Sequence, residues 1–127
     1  HRISLLQACY TVSSAMCHYT AGVSSLRDDL TSYGLQANAA KSVLADMMHD
    51  SAQSLLQLTG ANGYRRDHIA GRAVVDSRPF QIFEGSNDVM YSQVADFVLK
   101  KMKDGKYRNL YDFLNQLDRT SNAADRF

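Results

Sequence analysis

The sequence predicts an all-α fold, an up-down antiparallel helical bundle, on three observations. Apolar residues recur at spacings of three and four over long stretches, the period of a helix face. The 127 residues include one proline, seven glycines and no tryptophan, a balance that favours helices over a sheet of short strands. Gly34, Gly60, Asn62-Gly63, Pro79 and Gly105 punctuate the periodic stretches, as helix stops do. A chain of this length forms one domain or part of one, with a modest core.

The elements follow in order. Leu5, Cys9, Val12, Met16, Tyr19, Val23, Leu26 and Leu30 make one stripe, which predicts a first helix from Ile3 to Ser32, ended by Gly34. Leu44, Met48, Ser51, Leu55 and Leu58 mark a second, from about Leu35 to Thr59. Asp67 is the expected N-cap of a short third helix carrying Ile69, Ala70, Ala73 and Val74. That helix must finish before Pro79, because proline disfavours α conformation in the residue before it. Ser86 is the expected N-cap of a fourth helix carrying Met90, Val94, Phe97, Val98 and Met102, closed by Lys103-Asp104-Gly105. Leu110, Phe113, Leu114 and Leu117 form a last amphipathic turn before a polar tail from Arg119. Two long helices joined by a short loop make an antiparallel hairpin, which the fourth helix partly covers.

Charge and cysteine content exclude several classes. A formal net charge of +1 gives no electrostatic case for nucleic acid. Lys100, Lys101, Lys103 and Lys106 sit where a helix ends, so they read as cations on its C-terminal dipole. No apolar run approaches the roughly 20 residues of a membrane span, and no signal-peptide pattern precedes the first helix. A cytoplasmic protein is the expectation, and a chain that opens at His1 with its pattern already running reads as a piece of something longer. Cys9 and Cys17 are eight residues apart on one helix, about 12 Å, beyond disulfide reach.

Candidate chemistry is sparse. Asp46 and His49 have the i,i+3 spacing of a carboxylate–histidine pair in di-metal bundles. No second pair accompanies them, so they read as surface residues, and no metal is expected. His18 and His68 lack partner ligands at helical spacing and read as hydrogen-bonded polar residues. The glycines of TGANGY follow a helix, where a phosphate-cradling loop would follow a strand. Glu84 differs. It is the one glutamate among thirteen acidic residues, and it stands in an irregular connection directly after Ile82-Phe83. A carboxylate among apolar groups has its ionised form disfavoured and its pKa raised toward the range of a general base.

The order of residues carries a resemblance. LLQLTGANGY followed by DHIAGRAVVDSRPFQIFEGSND resembles the C-terminal helical domain of the acyl-CoA dehydrogenases. The family pattern there is Gln before a Gly-Gly-x-Gly-aromatic turn, a short helix ending near Arg-Asp, then Gln-Ile-aromatic-Glu-Gly-Thr-Asn-Glu. The spacing from Gly63 to Glu84 matches without a gap, and the likeness extends back over AKSVLADMMHDSAQSLLQ. Val75 for the Arg, Ala61 for the second turn glycine, Asp88, Tyr91 and His68-Ile69 depart from the pattern and mark a divergent branch.

The resemblance implies an FAD-dependent enzyme acting on acyl-CoA thioesters. Glu84 then aligns with the base that removes the substrate α-proton while the β-hydride moves to the flavin. Gln57, Gly60, Gly85, Ser86 and Asp88 are the implied cofactor-contacting positions, Gln57 reaching the adenosine end of FAD in a neighbouring subunit of a homodimer or homotetramer. Electron-transfer flavoprotein or oxygen is the implied electron acceptor. In these terms residues 1–103 are the C-terminal bundle domain without its first helix, and 104–127 an extension. The family's N-terminal helical and middle β-barrel domains would be absent, so the chain alone is expected to be inactive. The alternative is a non-catalytic helical interaction module that kept the bundle and lost the chemistry.

Overall fold

Helix follows helix throughout the computed structural model, which describes residues 1–23 and 34–116. The helices are α1 (Arg2–Val23), α2 (Gly34–Thr59), α3 (Ile69–Ser77) and α4 (Asn87–Asp104), with a short α5 over 110–116. Tight 3-10 turns, Gly60–Tyr64 and Arg78–Gln81, bracket α3. Among the described residues there is no strand, as the all-α reading requires. Residues 24–32 of the expected first helix, and Leu117 with the polar tail, lie outside the described residues.

The chain divides into two compact units, His1–Ser92 and Gln93–Phe127. In the first, α2 is the central helix, packed against α1, α3 and both 3-10 turns. Leu6, near the start of α1, shares a hollow with Met48, Ala52 and Leu55 in the later part of α2, the pairing of an antiparallel hairpin. What α2 buries is small: Ser42, Ala45 and Ala52. Small side chains let several helices approach one axis, whereas the larger Met48 and Leu58 of the expected stripe are 39 % and 44 % exposed. On α1 the partly covered residues are Leu6, Cys9, Ser13, Ser14, Met16 and Thr20. Leu5, Val12 and Tyr19 of the predicted stripe are instead exposed, so the helix is rotated by about one position from the apolar reading.

Cap chemistry corrects two further expectations. The N-cap of α3 is His68, whose Nδ1 accepts from the Ala70 N–H at 3.1 Å. Asp67 is engaged by Arg65 in a two-pronged ion pair and cannot turn to the helix. Ile69, expected inside, is 74 % exposed, while Ala70 is fully buried. At the end of α4 the left-handed residue is Lys106, φ 54°, and not Gly105. Tyr107 N–H reaches Met102 C=O and Lys106 N–H reaches Lys103 C=O, the paired bonds of a Schellman motif. Gly105 is small for another reason: a side chain there would run into the Tyr107 ring. In the second unit that ring packs edge-on against buried Phe113, and Asn109 caps α5 by accepting from Asp112 N–H.

Candidate functional site

Proline shapes the connection between α3 and α4. Pro79 has no N–H to give and sits at the start of the second 3-10 turn, where none is needed. Its carbonyl then accepts from both Ile82 and Phe83 N–H groups, at 3.0 and 2.8 Å. Glu84 and Gly85 follow with φ of 58° and 95°, and the chain reverses into α4. Ser86 starts that helix as expected, its carbonyl accepting from Met90 N–H and its hydroxyl from Val89 N–H. Gly85 suits its place, since the left-handed backbone favours glycine and a side chain would press on Met90. Glu84 has no such excuse: a left-handed residue bearing a Cβ costs about 1–2 kcal/mol. Such strain persists only where surrounding bonds over-determine it, and it gathers at functional sites.

Glu84 lies on the rim of an open hollow of about 510 Å³. Leu44, Met48, Pro79, Phe80 and Phe83 form its apolar wall, and Lys41 and Glu84 are its charged groups. The expected apolar enclosure is therefore one-sided. Glu84 is exposed, and Ile82 and Phe83 are 51 % and 67 % exposed. The apolar wall comes mostly from α2 and the 3-10 turn, and of the two apolar residues before Glu84 Phe83 lines it and Ile82 does not.

A polar cluster on α2 holds this connection. Lys41 Nζ donates to Gly85 C=O at 2.8 Å and to Asn87 Oδ1 at 2.9 Å. Asn87, 6 % exposed, donates through Nδ2 to Ser42 C=O and to Asp46 Oδ1 at 2.6 Å. Gln81 Nε2 donates to the same Asp46 oxygen, and the Tyr91 hydroxyl to the other. Burial works against the Asp46 charge, but the bonds from Tyr91, Gln81 and Asn87 and the Lys41 ammonium outweigh it and hold the carboxyl below its usual range. The same carboxylate, with burial and Asp50 adding to it, pushes the Tyr91 phenol up to about 12.

These two shifts act at opposite ends of the pH scale. Asp46 is depressed in the fold, so its stabilisation is present above the unfolded carboxylate pKa of about 3.9 and is lost as pH falls through the lower folded value. Tyr91 is raised, so its contribution is present below the unfolded phenol pKa of about 10 and is lost as pH rises through about 12. Ultraviolet titration should show a late-ionising phase from Tyr91, and Asp46→Asn should move that phase to lower pH.

The remaining predicted site residues fall into two groups. Gly85, Ser86 and Asp88 are together at the start of α4. Gln57 is exposed near the end of α2, and Gly60, φ 57°, follows it with open space where a side chain would stand. Lys41, bonded to the connection, and Gln57 are sixteen residues apart on one helix, which is about 24 Å. The structure does not bring the two groups together. Gly63 is occupied with packing: a side chain there would meet Leu56 and Thr59 at 2.5 and 2.6 Å. Of the i,i+3 pair, Asp46 bonds the connection and the start of α4, while His49 Nδ1 lies 2.9 Å from Ser77 Oγ at the end of α3.

Comparison with known proteins decides the family. Residues 1–99 match the family model described as acyl-CoA dehydrogenase, C-terminal domain. The chain belongs to the acyl-CoA dehydrogenase family. Its match to that C-terminal domain takes in α1, which sequence reading had related to the family only by pattern. An acyl-CoA dehydrogenase of Bacillus subtilis (strain 168) is 26 % identical over 89 residues, covering 70 % of this chain and 24 % of the relative. The chain thus spans about a quarter of that relative's length. No solved structure matches. Among the described residues of this acyl-CoA dehydrogenase domain, no helix is long and apolar enough to cross a membrane.

Sequence reasoning missed Lys41, Gln81 and Asn87, set Asp46 aside as surface, and noted Tyr91 only as a departure. A signal was present: Asn38, Ser42, Asp46 and His49 place polar groups on one face of α2, the face that carries buried Ala45 and Ala52. Polar residues sharing a buried face require partners.

Proposed function

We propose that this chain supplies the catalytic base of an FAD-dependent acyl-CoA dehydrogenase, with Glu84 removing the α-proton of the thioester. The observation that carries the reading is the Glu84 backbone, left-handed at φ 58° on the rim of an apolar hollow. The hollow offers an acyl group an apolar wall that a bound substrate would cover, and the carboxylate at its edge receives the proton. FAD, when bound, would accept the β-hydride.

The residues present fit a flavin dinucleotide as parts of a wall. The Ser86 hydroxyl and Asp88 lie beside the base, and the open backbone at Gly60 with the exposed Gln57 amide offers a surface to an adenosine. Their separation along α2 suits contacts to two cofactors in a homo-oligomer, with Gln57 and Gly60 serving a neighbouring subunit. Electron-transfer flavoprotein or oxygen takes the electrons in this reading. Free Cys9 and Cys17 suit a reducing compartment, and we place the protein in the cytoplasm.

The test is flavin reduction by the complete polypeptide carrying this domain. Acyl-CoA should bleach the visible flavin band without added oxygen, and an unchanged spectrum across chain lengths would refute the reading. A second reading, an interaction module without chemistry, draws support from the exposed Leu5, Val12 and Tyr19 of α1. It predicts that same silent spectrum.

A further inference from the structure

We propose that Lys41 and Asp46 are positioning residues for Glu84: two charges on one helix that together bond the Gln81–Tyr91 segment before and after Glu84 and hold the Glu84 backbone left-handed. This inference rests on the reading of Glu84 as the base. Among the described residues Lys41 makes no ion pair with Glu84, and Asp46 carries the same sign of charge as Glu84; both act through the turn around it.

The argument is one of constraint. Lys41 fixes the carbonyl of Gly85, the residue directly after Glu84, at 2.8 Å. Asp46 fixes Gln81, three residues before Glu84, and Asn87 and Tyr91, three and seven residues after it. Asn87 links the two charges, since its Oδ1 accepts from Lys41 and its Nδ2 donates to Asp46 and to Ser42 C=O. The buried amide has every donor used and its oxygen on the cation, so its orientation is set.

The chemistry of each position is specific. A carboxylate collects three neutral donors without competing for them, and charge-assisted bonds are shorter and stronger than neutral ones. An ammonium can bond a main-chain carbonyl and a side-chain oxygen at once. A neutral residue at 41 leaves both acceptors unanswered. The strained turn then loses the bond nearest its left-handed residues.

Two measurements test this. In the 127-residue chain, hydrogen exchange is followed at the amides of Ile82, Phe83, Val89 and Met90, which the bonds flanking Glu84 protect. Lys41→Met and Asp46→Asn should each accelerate these amides about tenfold or more while the middle of α2 is unchanged, the mark of local opening. Uniform acceleration, or none, overturns the proposal. In the complete flavoprotein, Lys41→Met should lower kcat by roughly 100-fold with KM little changed, the scale of a misplaced catalytic group. The isotope effect of an α-deuterated substrate should rise, and Lys41→Arg should recover most of the rate because a guanidinium can reach both acceptors.

Failure of the two ideas is distinguishable. If Glu84→Gln abolishes turnover and Lys41→Met does not alter kcat, the positioning role is wrong and the base stands. If Glu84→Gln leaves turnover intact, the base reading falls and this inference falls with its catalytic claim, whatever exchange shows.

Discussion

Replacing Glu84 by glutamine in the complete flavoprotein is expected to lower turnover by about 10²–10⁴-fold or more, the contribution of a positioned general base. Glutamine keeps the length of the side chain and a hydrogen-bonding oxygen, and it lacks a group that can take a proton at neutral pH. The left-handed backbone at this position is no harder for Gln than for Glu, so the turn and the flavin should both survive. Two readouts separate loss of chemistry from loss of structure. The visible flavin spectrum should be unchanged, and exchange of the substrate α-proton with solvent should cease. Turnover within a few-fold of the parent would remove Glu84 from the mechanism.

The second large effect concerns stability. Gly71 of α3 faces the main-chain carbonyl of Gly63 so closely that a Cβ at 71 would overlap that oxygen. A backbone atom cannot swing aside as a side chain can. Gly71→Ala should therefore destabilise the chain by about 1–3 kcal/mol, the usual penalty of overpacking, although alanine is the better helix former. Gly22→Ala is the control. Nothing lies within 4 Å of a Cβ at that position, so the same change should be neutral or stabilise by up to about 1 kcal/mol. Urea unfolding of the two variants beside the parent measures both, and equal midpoints would refute the close approach.

What could be read from the sequence divides along the range of the interactions. Helix α2 was expected from Leu35 to Thr59 and runs from Gly34 to Thr59; α4 starts after Ser86 as expected. Those boundaries are set by residues within a turn of each other. The α3 cap was misassigned because Asp67 has a competing partner in Arg65, and a histidine ring nitrogen is a rarer cap than a carboxylate. The rotation of α1 was hidden because its covered face carries Ser13 and Thr20, which an apolar stripe does not register.

The candidate site shows the same division. Glu84 could be singled out by its isolation among aspartates and by its order relative to the turn at Gly63. The cluster that holds it could not, because its bonds join residues 35 to 46 positions apart. Local periodicity carries no information about such pairs. What the sequence offered was a polar ridge on a helix face otherwise filled by alanine, and its meaning depended on knowing that α3 and the start of α4 lie against it.

The strained turn at Glu84 also bears on how such a chain drifts. Glycine at that position would relieve the left-handed backbone, and by the same physics that favours Gly85 next door a Glu84→Gly chain would fold with less conflict. Stability and chemistry thus pull this one codon in opposite directions. On the proposed reading of Glu84 as the base, a lineage freed from the need for proton abstraction would gain by discarding the carboxylate and relaxing the turn.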